Sequence, residues 1–125
     1  MRVLVDTSLL MLCAEKGRDY LSILEGKLGE KLEPLVPTTV RDELAKLSTK
    51  PSKKGRVALV ALRMAETMSL IDAGELGGVD ASLGAISKSL GLPVATVDRE
   101  LARRLRTVGV EVIMVGRAGD PLWLG

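Results

Sequence analysis

The sequence predicts an α/β fold: a three-layer α/β/α sandwich around a central parallel sheet of about five strands, in the order 3-2-1-4-5. Three observations support this prediction. Short apolar runs alternate with longer segments of helical periodicity, which is typical of a parallel sheet with helices on both faces. The length of 125 residues allows one domain. The composition, 46% hydrophobic and 27% charged, is ordinary for a globular protein.

The first two strands and the helices between them are predicted from the hydrophobic pattern. Residues 1–6 form an apolar run that ends in Asp6, as expected for a buried parallel strand that leads into a helix. Two helical segments follow, over residues 7–14 and 18–28. The second strand is brief, over residues 34–37, and it lies between two prolines.

The middle of the chain is predicted to hold two helices separated by a basic loop. Thr38 and Thr39 are expected to cap a helix whose apolar stripe covers residues 40–47. A basic loop follows over residues 48–55. The apolar positions of residues 57–68 cover more than half of a helix circumference, so this helix is expected to be mostly buried.

The C-terminal half continues the alternation of strand and helix. The predicted elements are a strand over 70–73, a helix over 80–90, a strand over 93–97, a helix over 98–108 and a strand over 110–115. Residues 1–116 are therefore expected to form a single domain, and residues 117–125 a tail. Trp123 is predicted to pack this tail onto the domain; the alternative is an exposed anchor for a partner or a second subunit.

Two absences in the composition exclude whole classes of protein. The chain has no histidine, which excludes mechanisms with an imidazole base and metal sites built from histidine. Because Tyr20 and Trp123 are its only aromatic residues, it lacks the stacking platform of RRM or OB-type single-strand binders. A single cysteine, Cys13, and the absence of a long apolar run predict a cytoplasmic protein with no leader and no membrane span.

Two acids are predicted to meet at one edge of the sheet. In the order 3-2-1-4-5, strands one and four are neighbours, and ligands bind at the carboxyl ends of strands near that switch point. Asp6 ends the first strand and Asp98 follows the fourth, so the topology brings these carboxylates side by side. Two further acids, Glu43 and Asp80, stand at positions that the same crevice would use.

The four carboxylates predict a site for a hard divalent cation. Clustered carboxylates repel one another unless a cation is present, and oxygen ligands without His or Cys favour Mg²⁺ or Mn²⁺. The implied chemistry is hydrolysis of a phosphodiester without a protein nucleophile. The alternative is structural: Asp6, Asp80 and Asp98 each stand where a helix N-cap is expected, and Glu43 lies near a helix N-terminus.

The chain resembles the PIN-domain ribonucleases over roughly residues 2–115. The resemblance rests on four short motifs in order, each in a matching strand or helix context. They are Val5-Asp6-Thr7-Ser8, Val40-Arg41-Asp42-Glu43-Leu44, Val79-Asp80-Ala81-Ser82-Leu83-Gly84-Ala85 and Ala95-Thr96-Val97-Asp98-Arg99-Glu100-Leu101.

This resemblance implies a metal-dependent endoribonuclease with one or two Mg²⁺ or Mn²⁺ ions. The implied catalytic and metal-binding acids are Asp6, Glu43, Asp80 and Asp98, of which Glu43 would hold a ligand water or a second ion. Hydroxyl groups would orient them through hydrogen bonds: those of Thr7, Ser8 and Thr96. Glu100 stands at a position that is often acidic in the family.

Within the family, the arginine-rich segment 99–106 and the residues that follow it are most similar to the branch that trims pre-ribosomal RNA. Ribosomal RNA processing is therefore the expected role, and the toxin branch of toxin–antitoxin pairs is the competing assignment. The implied partners are RNA and, beside it, a second copy of the chain, an antitoxin or an assembly protein.

Two groups of basic residues are predicted to contact RNA phosphates. The first forms a rim beside Glu43 and consists of Lys46, Lys50, Lys53, Lys54 and Arg56. The second lies on one face of the helix after Asp98 and consists of Arg99, Arg103 and Arg106. Arg104 is expected to point elsewhere. The alternative for the first group is a solvated loop and helix face.

Two other functions remain open at this point. One is a PIN-shaped RNA-binding or assembly subunit without catalysis, which the presence of all four acids disfavours. The other is a phosphoacceptor signalling domain of receiver type, which also gathers acids at strand ends. That class needs a lysine at the end of the last strand, where this chain has Met114-Val115-Gly116-Arg117.

Overall fold

The computed structural model describes residues 1–74 and 77–116 in full and the backbone of residues 121–123. The six strands are β1 (Arg2–Val5), β2 (Glu33–Pro37), β3 (Ser69–Ile71), β4 (Val94–Thr96), β5 (Val112–Val115) and β6 (Pro121–Trp123). The six helices are α1 (Thr7–Lys16), α2 (Tyr20–Leu28), α3 (Thr38–Ser48), α4 (Lys53–Glu66), α5 (Gly78–Leu90) and α6 (Arg99–Thr107).

The strands form one sheet in the order β3-β2-β1-β4-β5-β6. The first five are parallel to one another, so the predicted fold class and the order 3-2-1-4-5 are confirmed. β6 pairs with β5 in antiparallel orientation, with Met114 opposite Leu122.

β6 lies in the segment that the sequence pattern assigns to the tail. A three-residue strand is too short to show an alternating pattern, and the edge of β5 supplies its backbone partners. Its proline stands at the first position of an edge strand, where a missing N–H is tolerated. The prediction that Trp123 packs the tail onto the domain concerns a side chain outside the described part of the chain.

The core has two parts, one on each face of the sheet, and β1 contributes to both. Val3 and Val5 belong to the cluster beneath α1 to α4, whereas Leu4 belongs to the cluster on the α5 and α6 side. All three side chains are fully buried, as the period of two in a strand requires when both faces are covered.

Two predicted helix starts are wrong. α3 begins at Thr38 itself, with Pro37 as a cap that makes no side-chain hydrogen bond. The Thr38 hydroxyl accepts the Ala73 N–H at 3.0 Å instead, so a tertiary contact replaces the local cap. α5 begins at Gly78 after the Gly77 cap, which leaves Asp80 in the first turn rather than at the cap.

The predictions for α4 also need correction. The helix begins at Lys53, because the Ser52 hydroxyl accepts the Gly55 N–H and caps it, so residues 53–55 of the predicted basic loop belong to α4. The helix is not mostly buried: Leu59 and Val60 are 43% and 50% exposed. Only the small residues Gly55, Ala58, Ala61 and Ala65 form its buried face, where α1 and α3 pack against it.

Gly55 is required for the connection between α3 and α4. A Cβ atom at this position would overlap the carbonyl oxygen of Lys50 and lie 2.9 Å from its carbonyl carbon. The turn between the two helices therefore passes directly over the first turn of α4. In the described part of the chain, no helix combines the length and the hydropathy needed to cross a bilayer.

Candidate active site

A cleft of about 410 Å³ opens at the carboxyl ends of β1 and β4. All four acids that the sequence singles out lie along it: Asp6, Glu43, Asp80 and Asp98. A fifth carboxylate, that of Glu15, and one cation, Lys54, share the cleft. The remaining lining residues are Thr7, Ser8, Met11, Leu12, Leu47, Val79, Val97 and Leu101.

Asp6 is the buried acid of the cleft, with 2% of its surface exposed. It caps α1, and its Oδ1 accepts the Leu9 N–H at 3.0 Å. Its Oδ2 accepts the hydroxyls of Ser8 at 2.8 Å and Thr96 at 2.6 Å. Capping and orientation towards the cleft are thus compatible in one side chain.

Burial raises the pKa of Asp6 from its ordinary 3.8 to about 6. The hydrogen bonds from Thr96, Leu9 and Ser8 act in the opposite direction, and the nearby charge of Asp98 raises the pKa further. Desolvation therefore outweighs three hydrogen bonds that favour the carboxylate. A positive charge placed in the cleft would reverse this balance.

Thr96 connects the two acids at the strand ends. Its fully buried hydroxyl donates to Asp6 and accepts the Asp98 N–H at 3.0 Å. Asp98 in turn caps α6, because its Oδ1 accepts the N–H groups of Glu100 at 2.9 Å and Leu101 at 3.2 Å. Among the described residues, no hydrogen bond or ion pair involves the second carboxylate oxygen of Asp98.

Asp80 lies at the cleft in the first turn of α5, and its carboxylate forms an ion pair with Arg104. Nη2 of Arg104 lies 2.6 Å from Asp80 Oδ2, and Nη1 lies 3.9 Å from Oε1 of Glu100. The hydrogen bond to Asp80 raises the pKa of Arg104 above its usual value. The prediction that Arg104 points elsewhere is wrong, because the periodicity of α6 alone does not show which side chains the adjacent α5 places beside it.

Glu43 projects from α3 and is exposed; it makes no ion pair with any described residue. Its helix is held beside α5 by a contact of 2.6 Å between the hydroxyls of Thr39 and the fully buried Ser82. Ser82 also donates to the Val79 carbonyl oxygen at 2.8 Å. This hydroxyl pair joins the helix that carries Glu43 to the helix that carries Asp80, and no local pattern in the sequence indicates it.

Glu15 is a further acid that the sequence reasoning missed. It lies on α1 at helical spacing from Ser8 and Leu12, and all three line the cleft. This i, i+4, i+7 pattern is a signal that was present in the sequence. Because the resemblance already implies that Ser8 lies beside the acids, the same helical face could have been followed from Ser8 to Glu15.

The two remaining predicted site residues, Thr7 and Glu100, differ in where they lie relative to the cleft. The Thr7 hydroxyl is buried at the cleft without a hydrogen-bond partner among the described residues. Glu100 lies outside the cleft, where it pairs with Arg103 and Arg104.

All the predicted RNA-binding side chains are exposed: Lys46, Lys50, Lys53, Lys54, Arg56, Arg99, Arg103 and Arg106. Of these, Lys54 lines the cleft.

The acids share a cleft but do not form a ready-made metal centre. Within residues 1–74 and 77–116, no three acidic or cysteine side chains are arranged so that they could hold one ion directly. Each of these acids already has partners: Asp6 accepts two hydroxyls, Asp98 caps a helix, and Asp80 is paired with Arg104.

Residues 3–117 match the family model described as a PIN like domain. The chain belongs to this family. The resemblance drawn from the four motifs is therefore confirmed. A comparison with curated protein sequences gives no match.

Solved structures place this PIN-like domain among nuclease folds. It is similar to the PIN domain endonuclease Utp24, with 25% identity, a TM-score of 0.76 and coverage of 96% of this chain and 88% of that one. A domain of a functionally unknown protein from Methanocaldococcus jannaschii DSM 2661 has 18% identity and a TM-score of 0.70, over 99% and 97% of the two chains. VapBC2 from Rickettsia felis, bound to a promoter DNA fragment, has 14% identity and a TM-score of 0.68, over 93% and 100%. The last two likenesses concern the fold alone.

Proposed function

We propose that this PIN-like domain is an endoribonuclease that hydrolyses RNA phosphodiester bonds with one or two Mg²⁺ or Mn²⁺ ions. The observation that carries the proposal is the cleft at the ends of β1 and β4, which four carboxylates from four separate segments share. The likeness to the PIN domain endonuclease Utp24 supports the reaction class. A receiver-type signalling domain is excluded by membership of the PIN-like family.

The donor set of the cleft fits a hard divalent cation. It consists of carboxylate and hydroxyl oxygens, and the chain has no histidine. Mg²⁺ retains several waters and binds through one or two carboxylates together with substrate phosphate. Spread carboxylates are therefore compatible with such an ion. The Thr7 hydroxyl, buried without a partner among the described groups, is suited to bind one of these waters.

The side chains of the cleft would then hold the cation and its waters in position, and none of them would itself attack the phosphorus. Asp6, Asp80 and Asp98 would hold the cation, and Glu43 would hold one of its waters. Ser8 and Thr96 both donate to Asp6 Oδ2 and so hold this carboxylate in one orientation. When bound, the cation supplies an activated water and stabilises the leaving oxygen.

The proposed substrate is RNA, and the basic rim beside Glu43 supports this choice. Lys53 and Lys54 lie in the first turn of α4, which contains no acid. The N-terminus of a helix carries a partial positive charge, which repels the two lysine side chains. An anion such as an RNA phosphate bound there would remove this repulsion. The arginine-rich α6, which is similar to that of the pre-ribosomal branch, supports a role in ribosomal RNA processing, and the toxin branch is the alternative. The proposed location is the cytoplasm.

The experiment that tests this function compares two aspartates that make the same structural contact. Asp98 and Asp19 both cap a helix through Oδ1, but only Asp98 lines the cleft. Asn caps a helix as well as Asp does, so Asp98→Asn and Asp19→Asn should both fold. Structured and unstructured RNAs are incubated with each protein in Mn²⁺, Mg²⁺ or EDTA, and the products are resolved on gels.

We expect cleavage by the wild type in either metal but not in EDTA. Asp19→Asn should cut at the wild-type rate, and Asp98→Asn should be slower by at least about a hundredfold. Equal cutting by both variants would contradict the assigned site. No cutting by the wild type with any metal would contradict the enzymatic proposal and favour a subunit that only binds RNA.

The basic rim gives a separate prediction about RNA affinity. Lys54→Glu should weaken binding of an uncut RNA in EDTA and lower the slope of log K against log salt by about 0.7, the value for one contact to a single strand. The matched control is Lys88→Glu, the same charge change on an exposed residue of α5 that does not line the cleft. Filter binding between about 50 and 200 mM salt measures both. Equal slopes for the two variants would mean that the rim is only solvated.

A further inference from the structure

Arg104 is the basic residue that contacts an acid of the cleft, within the part of the chain that the structure describes. Its guanidinium bridges two helices: it lies 2.6 Å from Asp80 on α5 and 3.9 Å from Glu100 on its own α6. Both Arg104 and Asp80 are about half exposed, at 51% and 53%. The pair is therefore held by little else than its own attraction, and it can open at small cost.

The position of this arginine matters because of the atom that it contacts. Asp80 Oδ2 is one of two oxygens that Asp80 can offer to a cation in the cleft. A guanidinium group on that oxygen both occupies a coordination direction and adds a positive charge beside the site. A divalent ion bound at Asp80 must displace Arg104 or share the carboxylate with it, and either event weakens the binding of the ion.

We infer that Arg104 is an internal counter-ion of Asp80, which competes with the divalent cation and lowers the affinity of the cleft for it. This inference rests on the proposed function, because it assumes that the cleft takes such an ion. Arg104 acts through Asp80, so it is a positioning residue rather than a catalytic one. An anionic substrate that attracts the guanidinium would free Asp80, so that the cation and RNA bind more tightly together than separately.

The neighbouring Arg103 provides a matched control. It is one residue away on α6 and pairs with Glu100, but it makes no contact with Asp80. Arg103→Gln and Arg104→Gln remove the same charge from the same helix. Arg104→Lys keeps the charge and tests whether a cation at this position is sufficient.

The test is calorimetric titration of four proteins, the wild type and these three variants, with MnCl₂ alone and without RNA. We expect Arg104→Gln to bind Mn²⁺ about fivefold more tightly than the wild type, which corresponds to about 1 kcal/mol. Arg103→Gln should differ from the wild type by less than about twofold because exposed charges are screened. Arg104→Lys should return the affinity towards the wild-type value.

Each remaining result overturns the inference in a recognisable way. If the wild type binds Mn²⁺ and Arg104→Gln binds it equally or more weakly, Arg104 is not a competitor, and the proposed function is unaffected. If none of the four proteins binds Mn²⁺, both this inference and the metal dependence of the proposed function fail. If Arg103→Gln and Arg104→Gln gain affinity equally, the effect is one of net charge and the specific pairing is refuted.

Discussion

Asp6→Asn is expected to make the protein more stable while abolishing cleavage. Asp6 is almost completely buried, and its pKa is raised to about 6. At neutral pH Asp6 is therefore ionised in the folded protein, although its buried position favours the protonated, neutral form. Asn has the same shape and no charge, so its Oδ1 retains the contact with the Leu9 N–H and the cost of burying a charge is removed. Its Nδ2 cannot accept the hydroxyls of Ser8 and Thr96, which must turn to accept from it instead.

The sign of the pH dependence follows from the direction of the shift. The folded pKa lies above the unfolded one, so between these values the folded state binds more protons than the unfolded state. The stability that the Asp6 proton contributes should be fully present below about pH 4 and should be lost as the pH rises through about 6. Above that range, Asp6→Asn should be more stable by about 2 kcal/mol, after the loss of charge-assisted hydrogen bonds is subtracted.

Urea unfolding in EDTA at about pH 4.5, 6 and 7.5 measures this difference. The curves of free energy against pH should diverge as the pH rises, because only the wild type titrates at this position. Replacement of EDTA by Mn²⁺ should stabilise the wild type and leave Asp6→Asn unchanged, since a ligand stabilises only the state that binds it. Parallel pH curves would show that Asp6 titrates like an ordinary aspartate.

Cleavage by Asp6→Asn should fall by at least about a hundredfold under the proposed mechanism. A variant that is more stable and inactive cannot owe its inactivity to unfolding. Such an opposition between stability and activity is typical of functional sites. Retention of full activity by a folded Asp6→Asn protein would remove Asp6 from the site.

Gly55→Ala is expected to destabilise the protein by about 3 kcal/mol, although alanine is the better helix former. The new Cβ would overlap the Lys50 carbonyl oxygen and lie 3.3 Å from the Leu47 carbonyl oxygen. Both obstacles are backbone atoms, so no side-chain rotation can relieve the overlap. The turn between α3 and α4 would have to move, and Glu43 and Lys54 lie on the helices that flank it.

Gly26→Ala is the matched control for this prediction. Gly26 is also inside a helix, α2, and a Cβ there would meet no atom within 4 Å. This variant should gain about 0.5–1 kcal/mol from helix propensity. Urea unfolding of both variants measures the two opposite shifts. A Gly55→Ala protein as stable as Gly26→Ala would mean that the turn accommodates a methyl group.

The sequence determined the parts of this protein that depend on local pattern and on the order of elements. Alternating strands and helices predict the parallel sheet, and its order brings Asp6 and Asp98 to neighbouring strand ends. The caps at these two residues could also be anticipated, since both stand directly before a helix. Their agreement with the structure reflects short-range physics: hydrophobic period, capping and strand adjacency.

Only the tertiary structure decided which side chains act on these acids. Arg104 reaches Asp80 because α5 and α6 lie side by side, and Thr39 meets Ser82 because α3 and α5 do. Neither pair is separated by a spacing that one helix or one strand would favour. The requirement for glycine at position 55 also comes from tertiary structure, since a Cβ there would overlap a backbone atom of the preceding turn. Such contacts depend on the packing distances between whole elements, which the local pattern of a sequence does not contain.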